Sequence, residues 1–295
     1  MRPVYFLSDR VICNYLEDPN SYSFMDFNVI RDKTSKLVNF CLKGKYVHSN
    51  YLYWIAKNQN LEVQLTTETA SLPKNSVVIF HYDHKDLIKI RKDIVYVQVL
   101  ADRPIHPIAD YVLTSSKIFL NKGLIKNILY LPEPLPVKNI LPLNKNHKNT
   151  PTIFRFLGLI ESFPKFLFNE DLNEKLKKDN IIIKKEFNKN FIEVEDDVFF
   201  FMRKPEQFIK HSNRIDLSYH TKIPYIGNLN DDEQNKAIND TVINVEPIEE
   251  AYIEAFYSIK KEDNYSRIVN NLKQINYKNQ ADIYLKELIS FFQKL

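Results

Sequence analysis

Glycine is nearly absent from this chain: 295 residues hold four, at positions 44, 123, 158 and 227. Glycine turns at positive φ or lets backbone approach a ligand closely, so each copy in so poor a chain is a candidate for a place no side chain fits. Cysteine is scarcer still. Cys13 and Cys41 have neither the number nor the spacing of a disulfide framework or a zinc site, which points to a reducing, cytoplasmic setting. No stretch approaches the roughly 18 consecutive apolar residues of a membrane span. The opening MRPVYFLSDRVICNYLE puts Asp9 and Arg10 where a signal peptide needs an unbroken apolar core. The expectation is a soluble protein, with peripheral membrane contact left open. An excess of one charge is missing too. Against 37 acidic side chains stand 41 basic ones, a mixture too even to point to nucleic acid as a partner.

What is present is a set of short apolar runs with helix-like segments between them. Residues 61–65, 76–81, 94–100, 110–115 and 128–132 are rich in Val, Ile and Tyr and too short for core helices, so they read as buried strands. Segments 49–60 and 83–93 have helical spacing. Residues 132–151 then collect four prolines ahead of a polar stretch of Lys and Asn, the composition of a linker. Beyond it the alternation restarts, with strands expected at 152–158, 180–187, 197–203, 223–227 and 241–245 and helices at 169–179 and 213–220. Two amphipathic helices close the chain. Alternation at this interval predicts parallel, helix-covered sheets. The fold class expected is therefore α/β with two Rossmann-like parallel-sheet domains facing a cleft: residues 1–142, residues 151–275, and a C-terminal helix, 276–295, packing back on the first domain. The number of copies in an assembly is not readable.

Gly158 and Gly227 each end an expected strand, where ligands bind in such sheets. The intervening stretch KHSNRIDLSYH offers the parts of an anion site. Ser212 can cap a helix whose first turn has free N–H groups and a positive dipole end, and Lys210, His211 and Arg214 crowd the same end. Arg203 and Lys204 come to that edge from the preceding strand, so several cations converge on one diphosphate. On this reading Arg203→Ala abolishes anion binding and leaves the melting temperature within a few degrees.

The segment KHSNRIDLSYHTKIPYIG resembles the C-terminal half of glycosyltransferases of the GT-B fold. Those enzymes carry K-P/H-S-x-K/R, a helix and then G-V-P-x-I-G, matched here by Lys210, Ser212, Asn213, Arg214, Pro224, Ile226 and Gly227. The family's A-G before V-P is replaced by Thr221 and Lys222. The resemblance covers about residues 150–290. It implies transfer of a sugar from a nucleotide-sugar to a carbohydrate or glycoconjugate acceptor, without a cofactor and without a metal. It also implies donor contacts from Gly158, Arg203, Lys210, Ser212, Asn213, Arg214 and Gly227, and ribose contacts from the acidic loop holding Asp231 and Glu233.

In the first half, the proline-stiffened loop 97–116 carries Asp102, Arg103 and His106. Asp102 or His106 can act as general base for an inverting reaction, with Arg103 beside the acceptor; locking of the loop by ion pairs is the alternative. His48 and Tyr51 offer an aromatic and polar surface to a carbohydrate. His81, Asp83 and His84 lack a further metal ligand at suitable spacing. An epimerase of the same architecture and a noncatalytic scaffold remain the rival functions.

Overall fold

A computed structural model of the chain describes residues 1–10, 13–14, 49, 52–53, 55–57, 59–100, 103–115, 127–131, 150–157, 163–185, 197–203, 213–229, 233–234, 237–238, 240–275 and 280–295. The chain forms two compact units, Met1–Asn139 with Asn279–Leu295, and Ile140–Lys278. Each is built on one parallel sheet, whose central strands, such as Val77–His81 and Val198–Phe201, are buried along their whole length.

The first unit contains β1 (Val4–Leu7), β2 (Val63–Thr66), β3 (Val77–His81), β4 (Val95–Leu100), β5 (Tyr111–Thr114) and β6 (Ile128–Tyr130), in the spatial order β2-β1-β3-β4-β5-β6. Strand order reverses between β1 and β3. The second unit contains β7 (Ile153–Phe156), α1 (Glu170–Lys178), β8 (Ile182–Lys184), β9 (Val198–Phe201), α2 (Asn213–Thr221), β10 (Tyr225–Gly227), β11 (Val242–Asn244), α3 (Glu249–Lys260) and α4 (Glu262–Gln274), with sheet order β11-β10-β9-β7-β8. Here the reversal lies between β7 and β9. The last helix, α5 (Gln280–Lys294), returns to the first unit: Leu285, Ile289 and Phe292 are buried with Val4, Phe6 and Ile79, and the Arg2 amide donates to the Gln293 carbonyl at 2.9 Å.

Local sequence explains these elements. Asn169 caps α1 by accepting from the Leu172 amide at 3.2 Å; Glu170 and Asp171 occupy its first turn, and Lys175, Lys177 and Lys178 its last, as the helix dipole favours. Aromatic packing dominates the second core. Phe256 of α3 meets Phe154 and Phe200 edge to face, each at 5.2 Å between centroids, and each such buried ring contributes about 1.5–3 kcal/mol by burial alone. Asp197, itself buried, accepts from the Thr152 and Ile153 amides at 2.8 and 2.9 Å and fixes where β7 starts.

Two sequence expectations need correction, and one strand had gone unread. The opening VYFL is a strand, and it is paired on both sides, with β2 and β3. Three helices close the chain, because 262–274 forms its own, α4, with Tyr265, Ile268, Val269 and Leu272 on the buried face. Segment 83–93 is not a helix. A 3₁₀ turn spans Tyr82–Leu87, after which Lys89 leaves the helical path to exchange hydrogen bonds with the Thr69 hydroxyl, both at 2.8 Å.

Candidate functional site

The carboxyl ends of β7, β9 and β10 meet at the reversal of strand order in the second sheet, the place where open α/β sheets bind ligands. Because α2 links the parallel neighbours β9 and β10, it starts at this same edge and runs back along the sheet. The N–H groups of its first turn, which have no acceptor within the helix, therefore lie at the edge.

Arg214, in that first turn, bridges the reversal. Its guanidinium carbon sits 3.5 Å from the centroid of the Phe201 ring, at the end of β9, and its Nε donates to the Leu157 carbonyl, just past β7, at 3.3 Å. Stacking on an aromatic face holds the planar cation in a fixed orientation. The side chain is only partly buried.

Arg203 is placed differently from expectation. It is 1% exposed and lies against Glu233, which is 0% exposed. Its terminal nitrogen forms an ion pair with one carboxylate oxygen, and Nε donates to the other at 3.2 Å. The two residues expected to contact separate groups of a donor thus contact each other. Around them the edge is tied by a polar network. Asn228 accepts from the Arg203 amide at 2.6 Å and donates to the Arg203 carbonyl at 3.1 Å. The Tyr252 hydroxyl donates to the Phe201 carbonyl at 2.5 Å and accepts from the Asn228 amide at 3.1 Å.

Gly227 has a specific neighbour. A Cβ there would lie 2.6 Å from the Tyr225 hydroxyl and 2.8 Å from the ring carbon bearing it, because residues two apart on a strand project to the same face. The space expected to admit a donor is taken by the phenol of the same strand. Tyr225 is 0% exposed, so it has nowhere to move, and Gly227→Ala should destabilise the unit by about 1–3 kcal/mol, read as a lower urea midpoint. Burial, followed by the Glu233 charge, pushes the Tyr225 phenol well above its ordinary range, and burial raises Tyr252 likewise. Both stay protonated donors at neutral pH. The Tyr225 hydroxyl has no hydrogen-bond partner among the described residues.

Lys222 occupies the glycine place of the A-G pair. Its φ of 61° is the left-handed conformation a glycine supplies, and its amide closes α2 on the Ser218 carbonyl at 2.8 Å. The lysine is retained through its tip: Nζ donates to the Ile275 carbonyl at 2.6 Å, and partial burial lowers its pKa. The left-handed backbone costs a non-glycine residue about 1 kcal/mol, close to what one hydrogen bond returns. Lys222→Gly should therefore melt near the wild type, and Lys222→Ala about 1 kcal/mol lower, having the strain without the bond.

Among the other expected residues, Asn213 begins α2. Gly158, Lys210, Ser212, Asp231, Asp102, His48 and Tyr51 lie outside the described residues. Arg103, half-exposed, pairs with Asp83 at 3.0 Å and so ties the loop after β4 to the 3₁₀ turn after β3. His106 also secures that loop: its amide donates to Gln98 Oε1 at 2.7 Å, and its Nδ1 accepts from the Ile108 amide at 3.3 Å. Sequence reasoning missed Phe201, Tyr225, Asn228 and Tyr252 as parts of the edge. Alternation along Tyr225–Gly227 was the available signal for the first pair of contacts; the rest come from separate elements. No group of His, Cys, Asp and Glu suited to a metal occurs among the described residues, and none of their helices is long and apolar enough to cross a membrane.

No protein-family model matches the chain, and no curated protein does. Solved structures do. TarM aligns with a TM-score of 0.53 at 11% identity, over 82% of this chain and 58% of its own. The fold is shared with TarM. The chain spans little more than half of TarM's length. HepE from Anabaena, crystallised with UDP-glucose, aligns over 100% of both chains at 8% identity and a TM-score of 0.48. A glycosyltransferase from Rickettsia africae aligns over 99% of this chain and 98% of its own, at 13% identity and a TM-score of 0.44. The two parallel sheets and the returning helix α5 make the fold GT-B-like.

Proposed function

We propose that the chain is a nucleotide-sugar-dependent glycosyltransferase whose donor diphosphate is held at the carboxyl edge of the second sheet. The observation carrying this reading is Arg214. Its guanidinium spans the strand-order reversal, stacked on Phe201, beside the first turn of α2. A cation fixed in this way next to helix N–H groups stabilises charge as it develops on a leaving diphosphate. The protonated Tyr225 phenol is a further donor at this edge. Lys210, Ser212 and Asn213 belong to the same anion site, Gly158 admits the donor, and Asp231 takes the ribose hydroxyls. Arg203 and Glu233 then act on the donor indirectly, by holding the edge in shape.

The acceptor contacts proposed are His48, Tyr51 and Arg103, with Asp102 or His106 as base if configuration inverts. Cations and the helix end take the part of a metal. The setting is cytoplasmic. One observation favours the scaffold reading instead: the Arg203 charge is met internally by Glu233, as in a sheet edge that no longer receives a ligand. Melting the protein against UDP, GDP, CMP and dTDP sugars separates the two. A transferase gains about 2.7 kcal/mol with its own nucleotide at about 100 times Kd, whereas a scaffold gives a flat panel.

A further inference from the structure

A cavity of about 350 Å³ lies in the first unit, at the amino ends of β1 and β2. The acceptor contacts are proposed at the opposite, carboxyl ends of these strands, where open α/β sheets bind their substrates, so neither donor nor acceptor accounts for it.

Local sequence builds the walls. The helical residues that reach Lys57 are closed off at Asn60, whose φ of 55° is the left-handed conformation that ends helices. The Asn60 amide donates to the Lys57 carbonyl at 2.9 Å, and the Leu61 amide to the Ala56 carbonyl at 3.0 Å. This turn returns Glu62, the residue before β2, to the cavity that Lys57 lines. Arg2 is set there by its backbone: its amide donates to the Gln293 carbonyl, and the Pro3 carbonyl that follows accepts from the Val77 amide, both at 2.9 Å. Gln64 and Gln293 add amides to the lining.

The charged side chains of this wall are therefore two cations and one carboxylate, Arg2, Lys57 and Glu62. Among the described residues none of the three forms an ion pair. Arg2 is half-buried, and Lys57 Nζ stands 5.9 Å from the centroid of the Tyr53 ring.

We propose that this cavity binds an acidic α-amino acid, glutamate or aspartate, as a ligand separate from donor and acceptor. The charges select the class. Two cations and one carboxylate are the complement of a molecule with two carboxylates and one ammonium. The Arg2 guanidinium, a planar fork, takes the α-carboxylate through two bonds. Glu62 takes the ammonium, and Lys57 meets the side-chain carboxylate as a point charge. A simple dianion such as phosphate would answer both cations but set its own charge against Glu62. A neutral molecule would leave all three unanswered. The volume is at the small end of ligand sites, as a ligand of this size requires.

The full-length protein is to be titrated calorimetrically with L-glutamate, L-aspartate, L-glutamine, glutarate and inorganic phosphate. Glutamate or aspartate binds saturably. Glutamine lacks the second carboxylate, glutarate lacks the ammonium and phosphate lacks both features, so each binds at least about 3-fold more weakly. Arg2→Gln weakens the bound amino acid about 10-fold or more, as loss of a charge-assisted pair requires, and Glu62→Gln at least about 3-fold. UDP binding is unchanged in both variants. The analogue series reads the same charges on the wild type, without a mutation. Three results would overturn the proposal: neither acidic amino acid binds the wild type, any of the three analogues binds as tightly as the better of them, or either variant binds it as tightly as the wild type. The site is independent of the reading of the second unit. Absence of UDP binding in the wild type would remove the transferase reading and leave this site standing.

Discussion

Arg203→Ala should destabilise the protein by about 3–5 kcal/mol, because it strands the Glu233 carboxylate in the interior. Both side chains are fully buried, so the charge left behind is held away from bulk water. Glu233→Ala should cost a similar amount for the converse reason. Joint replacement by apolar residues of similar volume, Arg203→Met with Glu233→Leu, should recover most of the loss, since a buried pair owes much of its gain to the desolvation it has to offset. Urea unfolding monitored by circular dichroism reads all three variants. This outcome reverses the sequence-level expectation for Arg203, under which alanine left the melting temperature nearly unchanged. It also bears on function: loss of nucleotide binding in Arg203→Ala would not distinguish a ligand contact from a disordered edge.

Arg214 is the residue that makes that distinction. It is only partly buried, and loss of its stacking on Phe201 in Arg214→Ala should lower stability by about 1 kcal/mol. A charge-assisted bond to phosphate contributes about 1.5–3 kcal/mol, and removing it should weaken UDP binding by about 10- to 150-fold. Arg214→Lys should fall between, because an ammonium keeps the charge but lacks the planar surface that stacks on Phe201 and the fork that grips two oxygens. A large loss of affinity with a small loss of stability is the signature of a contact.

The sheets were legible because parallel strands buried on both faces must be apolar throughout, and segments such as 76–81 and 94–100 have no other use for that composition. β1 was not legible. Four residues are enough for a strand already paired on both sides, and so short a run has no period to read. Segment 83–93 failed for a tertiary reason: its helical spacing is real, but Thr69 and Arg91 draw the chain away, Arg91 through the Leu72 carbonyl at 2.5 Å and Asp93 at 2.6 Å. At the candidate site, Arg214 and the start of α2 could be found because capping residues, cations and a following glycine occur in order along the chain. The Arg203–Glu233 pair could not, since 30 positions separate its members and no local pattern links them. Gly227 was noticed for its rarity, and its neighbour Tyr225 gives the physical cause.

The claim that a nucleotide diphosphate binds across the strand reversal of the second sheet is tested most directly by calorimetric titration of UDP into the wild type and Arg214→Ala. The account predicts a saturable interaction with the wild type, weakened at least about 10-fold in the variant, with both proteins folded to the same extent. Equal affinities in the two would contradict it.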